Sequence, residues 1–145
     1  MTHFTRFPES FPSAAYRHLA DAKILEQRNR IAAADHHYGM AAECYLKAAI
    51  VGSGKSVEGA VRKHVNMIWG QVSSYVDPNR YAILNALLQQ ESPFLTWSVD
   101  DRYADTDDLE IDLNKLEDGV VTRWEKRKSV AMEIALAFQQ GGWDG

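Results

Sequence analysis

The apolar residues of this chain recur at helical spacing almost throughout, and no stretch alternates apolar and polar residues for long enough to found a sheet. That property restricts the chain to helix packed on helix. Ala15, Leu19, Ala22 and Leu25 mark a first helix, with Ser13 after Pro12 as its N-cap and Gln27 near its end. Ile31 to Val51 forms a second, rich in alanine and carrying Met40, Leu46 and Ile50, closed by Gly52 to Gly54. A third begins near Ser56, places Glu58 in its first turn and lines up Val61, Val65, Ile68 and Val72 until Asp77-Pro78-Asn79. Tyr81, Leu84 and Leu88 mark a fourth, which stops near Pro93 because the residue before a proline avoids the helical region. Phe94 to Tyr103 reads as irregular or briefly extended. The last long run passes through Leu116, Val120, Trp124, Ala131, Ile134 and Phe138 to a loose Gly141-Gly142 tail. Four long helices and a shorter one predict an all-α fold, an up-and-down four-helix bundle with an additional short helix.

At 145 residues the chain has the size of one domain, 1–145, with its core over about 13–138 and loose termini. No run approaches the roughly 20 apolar residues of a membrane span, and Pro8 and Glu9 stand where a signal peptide would be apolar, so a cytoplasmic address is expected. Cys44 is the single cysteine, which rules out an internal disulfide and a multi-cysteine zinc site. A net charge of -4 removes the long-range attraction on which bulk DNA binding depends, although a local basic patch can still hold nucleic acid.

On the second helix, His36, Met40, Glu43 and Lys47 share one narrow face at 100° per residue. Glu43 and Lys47 stand in the favourable i, i+4 order. They form either a solvated or partly buried ion pair that fixes helix register, or part of a polar seam that reaches a ligand or partner. The whole run from Ala34 to Ala48, with Asp35-His36-His37-Tyr38-Gly39 and Glu43-Cys44-Tyr45-Leu46-Lys47, resembles the second helix of the HEPN (higher eukaryotes and prokaryotes nucleotide-binding) family. Lys63-His64 with Trp69, then Trp97 and Arg102-Tyr103, follow in matching order, so the resemblance covers roughly residues 13–138. It implies a four-helix bundle associated with RNA or nucleotides. Such domains often form homodimers or pair with a protein partner such as a nucleotidyltransferase, in systems of the toxin-antitoxin kind.

Many members of that family are metal-independent ribonucleases with an arginine four to six residues before a histidine. An imidazole can shuttle a proton to or from the 2'-hydroxyl or the leaving group, and a guanidinium can neutralise the phosphate. In this chain Arg30 precedes His36 and His37 at that spacing. The pair stands at the junction of the first two helices, whereas the family motif lies late in the bundle. The alternative is that Arg30 opens the second helix from a surface loop while one histidine packs in the core. Two functions follow: a non-enzymatic module that binds RNA, a nucleotide or a protein, with Glu43, Lys47, His64, Trp97, Arg102 and Tyr103 as candidate binding residues, or an endoribonuclease using Arg30 with His36 or His37. The dimer face nominated by this reading comprises Arg30, His36 and the Glu43-Lys47 seam.

Other patterns are weaker. Trp97, Arg102 and Tyr103 can form a base-stacking platform or pin their segment to the bundle by cation-aromatic packing, and the nine carboxylates between Asp100 and Asp118 oppose the first role. Asp35, His36, His37 and His64 match no zinc or di-iron spacing, so no metal and no cofactor is assigned. Arg123, Lys126, Arg127 and Lys128 read as the wet face of the last helix. Gly52-Ser53-Gly54-Lys55-Ser56 ends like a phosphate-binding loop, but Ala49 stands where the first glycine belongs and a helix precedes it instead of a strand. Lys55→Ala is expected to leave any ATP affinity unchanged in a calorimetric titration; a large loss with the fold intact would overturn that reading.

Overall fold

The structure, a computed structural model, describes residues 7–141 and is all-α apart from one two-stranded ladder. Helix α1 spans Phe11–Gln27, α2 Ile31–Gly52, α3 Val65–Val72, α4 Ala82–Leu87, α5 Thr106–Leu113 and α6 Arg123–Gln140; strands β1, Leu116–Glu117, and β2, Val121–Thr122, pair antiparallel. Of the loose termini expected outside about 13–138, residues 1–6 and 142–145 lie outside the described residues, while residues 11–12 and 139–140 are helical, in α1 and α6. Three helices are long. α2 is central, with α1 packed along it and α6 beside it, and it is buried without interruption from Ala41 to Ile50. Its alanines, Ala34, Ala41, Ala42, Ala48 and Ala49, let both neighbours approach closely. Among the described residues no helix is long and apolar enough to cross a membrane.

Local chemistry moves several boundaries from those expected. The cap of α1 is Ser10, not Ser13: the Ser10 hydroxyl accepts the Ser13 amide at 3.4 Å, and Pro12 sits in the first turn, where an amide has no helical partner. Asn29 takes a left-handed φ of 57° and the Arg30 amide returns to the Leu25 carbonyl, so α1 turns into α2 within three residues. The helix expected from Ser56 is broken into a 3-10 turn, Gly59–Arg62, and α3. Gly59 is left-handed at φ 58°, and the extended Lys63 and His64 carry the Val65 amide to a buried glutamate of α2. The segment after Phe94 contains a second 3-10 turn, Val99–Tyr103.

Helix α6 begins at Arg123, not near Leu116. Asp118 and Gly119 are both left-handed, at φ 56° and 74°, and reverse the chain between β1 and β2, which leaves Leu116 and Val120 exposed. Thr122 and Glu125 then close a capping box on α6. At the far end Arg80 donates to the Gly52 and Gly141 carbonyls, both at 2.6 Å, and so satisfies the C-termini of α2 and α6 with one side chain.

The tightest approach in the core is Trp97 on Gly39. The indole lies where a β-carbon of residue 39 would stand, 2.1 Å from Cε2 and Nε1, and its N–H donates to the Asp35 carbonyl at 3.3 Å. Gly70 on α3 has open space around it. Alanine ordinarily stabilises a helix interior over glycine by about 1 kcal/mol. Gly70→Ala should show that gain in urea unfolding, whereas Gly39→Ala should cost about 1–3 kcal/mol because the indole is displaced. Equal effects at the two positions would show that Trp97 does not dock on Gly39.

Candidate functional site

The first half of α2, the turn Val99–Tyr103 and α5 enclose a pocket of about 280 Å³. Arg30, His36, His37, Trp97 and Arg102 all contribute to its wall, with Asp35 and Asp101 as acidic members and Leu109 and Leu113 as apolar ones. The short turn Arg28 to Arg30 places Arg30 at the N-cap of α2 with no side-chain cap bond, and Ala32 and Ala33 of the first turn also line the pocket. The first amides of the helix, with the positive end of its dipole, therefore stand at the pocket wall.

Beneath the pocket lies a buried ion pair. Arg127, 1% exposed, donates to Asp35 Oδ2 at 2.9 Å, to Thr96 Oγ1 at 2.9 Å and to the Pro93 carbonyl at 3.1 Å. Asp35 Oδ1 has no partner. Burial therefore dominates and pushes the Asp35 carboxyl up to about 6, while the single-oxygen contact with Arg127 pulls the other way. Arg127 does not belong to the wet face of α6. It falls on the same stripe as Val130, Ala131 and Ile134, and that stripe was the available signal for its burial.

The histidines form a chain of ring contacts. His18 Nδ1 on α1 meets His37 Nδ1 at 3.0 Å, His37 stands edge-on to His36 with centroids 5.4 Å apart, and His36 stacks on Trp97 at 5.8 Å and 16°. In the Nδ1 contact one ring donates and the other accepts, so the accepting ring is neutral. Burial, then the charge of His37, lowers His18 to about 4; burial also lowers His37, opposed by Asp21, and lowers His36, aided by His37 and Arg102. His36 Nδ1 is buried without a partner. His18 carried no signal in the sequence.

The seam Glu43-Lys47 is buried, not solvated. Glu43 Oε1 accepts from His64 Nδ1 at 2.9 Å and from the Val65 amide at 2.8 Å; Lys47 reaches Glu43 Oε2 and the Arg62 carbonyl, both at 3.2 Å. Every polar group of the seam is thus satisfied inside one chain, so the seam needs no second subunit to complete it. Trp97, at 1% exposure, offers no open face for a base, while Arg102 lies 4.8 Å from the ring of Tyr103, which is 77% exposed and is not part of the pocket's lining. Among the described residues no three His, Cys, Asp or Glu side chains are placed to share a metal ion. Ser53 donates to the Ala49 carbonyl and accepts the Asp77 amide, so the glycine-rich segment closes a helix.

No family model, curated protein or solved structure matches this chain.

Because the Asp35 carboxyl holds its proton more tightly folded than unfolded, its contribution to stability is full below 3.8 and is lost as pH rises through about 6. Wild type should therefore lose stability relative to Asp35→Asn across that interval, read from urea midpoints at each pH. Parallel curves would show a carboxylate ionised throughout.

Proposed function

We propose that this chain is a HEPN-like helical module, non-enzymatic in itself, that binds RNA or a nucleotide in the pocket at the start of α2, with a second copy or a protein such as a nucleotidyltransferase as its partner. The observation that carries the reading is that Arg30, Arg102, His36 and His37 line one pocket at a helix N-terminus that has no side-chain cap. Guanidinium groups and free amides are the donors a phosphate takes. The neutral imidazoles and Asp101 add the hydrogen-bonding groups, and Leu109 and Leu113 the apolar contact, that a base or ribose takes. The volume suits one nucleotide better than a duplex.

The carboxylates around the pocket narrow the ligand. Asp112 and Glu117 are engaged by Arg123 and Asp118 by Lys126, but Asp100, Asp105, Asp107 and Asp108 stay exposed. They repel long polyanions from the surface and favour a ligand that inserts one phosphate. A second reading, an endoribonuclease using Arg30 with His36 or His37, is favoured by the three residues sharing one wall. Against it, both imidazoles are held below the ordinary value by burial, which supplies two bases and no acid.

Fluorescence titration with a nucleoside monophosphate and with a 5'-labelled single-stranded RNA tests the proposal. Arg30→Ala and Arg102→Ala should each weaken binding about tenfold or more, since each removes a hydrogen bond to a charged group. Unchanged affinity in both variants, or no binding by wild type, would overturn it.

A further inference from the structure

Buried polar atoms of a folded chain almost always have a partner. Among the described residues, the buried side-chain atoms without one include Asp35 Oδ1 and His36 Nδ1, from neighbours on α2 that both line the pocket at its start. Asp35 is 5% exposed. A guanidinium can take both oxygens of a carboxylate in one fork. Arg127 does not: its three nitrogens go to Asp35 Oδ2, to Thr96 Oγ1 and to the Pro93 carbonyl, which leaves Oδ1 without a donor among the described residues. A carboxylate oxygen buried at a pocket wall and left unsatisfied is an acceptor for a donor that enters the pocket. Asp101, from the turn Val99–Tyr103, adds a second carboxylate to the lining.

We infer that the pocket selects a guanine mononucleotide, with its phosphate at Arg30 and the first amides of α2 and with the N1–H and N2–H edge of its base on Asp35. The inference deepens the nucleotide-binding reading above and rests on it. Asp35 follows Arg30 by five residues, about 7.5 Å along the helix axis, a separation that a nucleotide spans between phosphate and base. Guanine alone among the RNA bases presents adjacent donors on its pairing edge. Adenine and cytosine set a ring acceptor beside the amino group, and uracil flanks its N–H with a carbonyl on either side. A lone pair turned toward a buried carboxylate is repelled. A site built to bond an N–H therefore rejects a ligand that cannot supply it.

The carboxyl also gives the selection a pH signature. Burial pushes Asp35 up to about 6, opposed by Arg127 of α6 and aided by Asp101 of the turn and Asp112 of α5. Above that value Oδ1 is an anionic acceptor; below it the carboxyl is neutral and holds the N–H edge weakly. His36 and His37 of the lining and the ligand's own phosphate also gain protons as pH falls, but they act on every nucleotide alike. The ratio of two nucleotides' affinities therefore isolates Asp35.

Calorimetric titration of the whole chain with the 5'-monophosphates of guanosine, adenosine, cytidine and uridine tests the inference. At about pH 8 the guanosine monophosphate should bind about tenfold or more tighter than the others, the difference made by a hydrogen bond to a charged group, and that lead should shrink as the pH is brought to about 5. Asp35→Asn, which removes the charge and one acceptor, should abolish the lead. If that variant loses its helical circular dichroism spectrum, the pH series on wild type decides alone. A short single-stranded RNA beginning with 5'-phosphoguanosine should bind less tightly than the monophosphate, because the exposed Asp105, Asp107 and Asp108 oppose its further phosphates. Tighter binding would overturn the free nucleotide in favour of an RNA end. Monophosphates all bound alike, or a guanosine lead that is equal at both pH values or survives in a folded Asp35→Asn, overturns the guanine selection and leaves the binding module. No nucleotide bound by wild type overturns the nucleotide-binding reading itself.

Discussion

One guanidinium organises the region around the pocket. Arg127 comes from α6, yet its partners are a carboxylate of α2 and two groups of the segment Pro93 to Thr96. Taking both charges out of water is expensive, and the unpaired Asp35 Oδ1 shows that the cost is only partly offset. What the pair secures is position. It holds the loop that delivers Trp97 to Gly39, and Trp97 in turn stacks on His36 and bonds the Asp35 carbonyl. The pocket wall is therefore set by a residue that the pocket does not contain.

The same device recurs along α2. Glu26 accepts Tyr38 Oη at 2.7 Å and Lys128 at 2.8 Å, joining α1, α2 and α6; Asp35 joins α2 to α6; Glu43 joins α2 to the turn before α3. Alanine-rich surfaces slide easily because small side chains offer few interlocking shapes. Directional bonds to carboxylates fix the rotation and register that such a core leaves loose. With one buried thiol and no disulfide, the chain uses acidic side chains as its internal fasteners.

The helical class was legible because a period of 3.6 is a local property. So were α1, α2 and most of α6, whose apolar stripes are long. The break before α3 was not legible, since the valines keep their period across it and only the distant Glu43 explains the interruption. The Asp118-Gly119 reversal carried a hairpin signal, overshadowed by a helical stripe that Leu116 and Val120 continue by coincidence. In the site, Arg30, His36 and His37 were legible from spacing and do share a wall. Arg127 was hidden among neighbouring basic residues, and the burial of Trp97 depends on a glycine 58 positions earlier; neither follows from any window short enough to show a period.

Those fasteners also set an order of assembly. α1 and α2 meet across a three-residue turn, so their hairpin closes at small entropic cost. The bonds that complete the pocket are remote, Trp97 to Asp35 spanning 62 residues and Arg127 to Asp35 spanning 92, and the bond of Lys128 to Glu26 that ties α6 to α1 spans 102. Contacts of such separation form late in folding, after the entropy of the intervening loop has been lost. A refolding chain therefore has its hairpin before it has the pocket, and it acquires the pocket only when α6 docks. A ligand held there binds the complete fold and no part of it, so its binding energy adds to global stability by mass action instead of stiffening one segment.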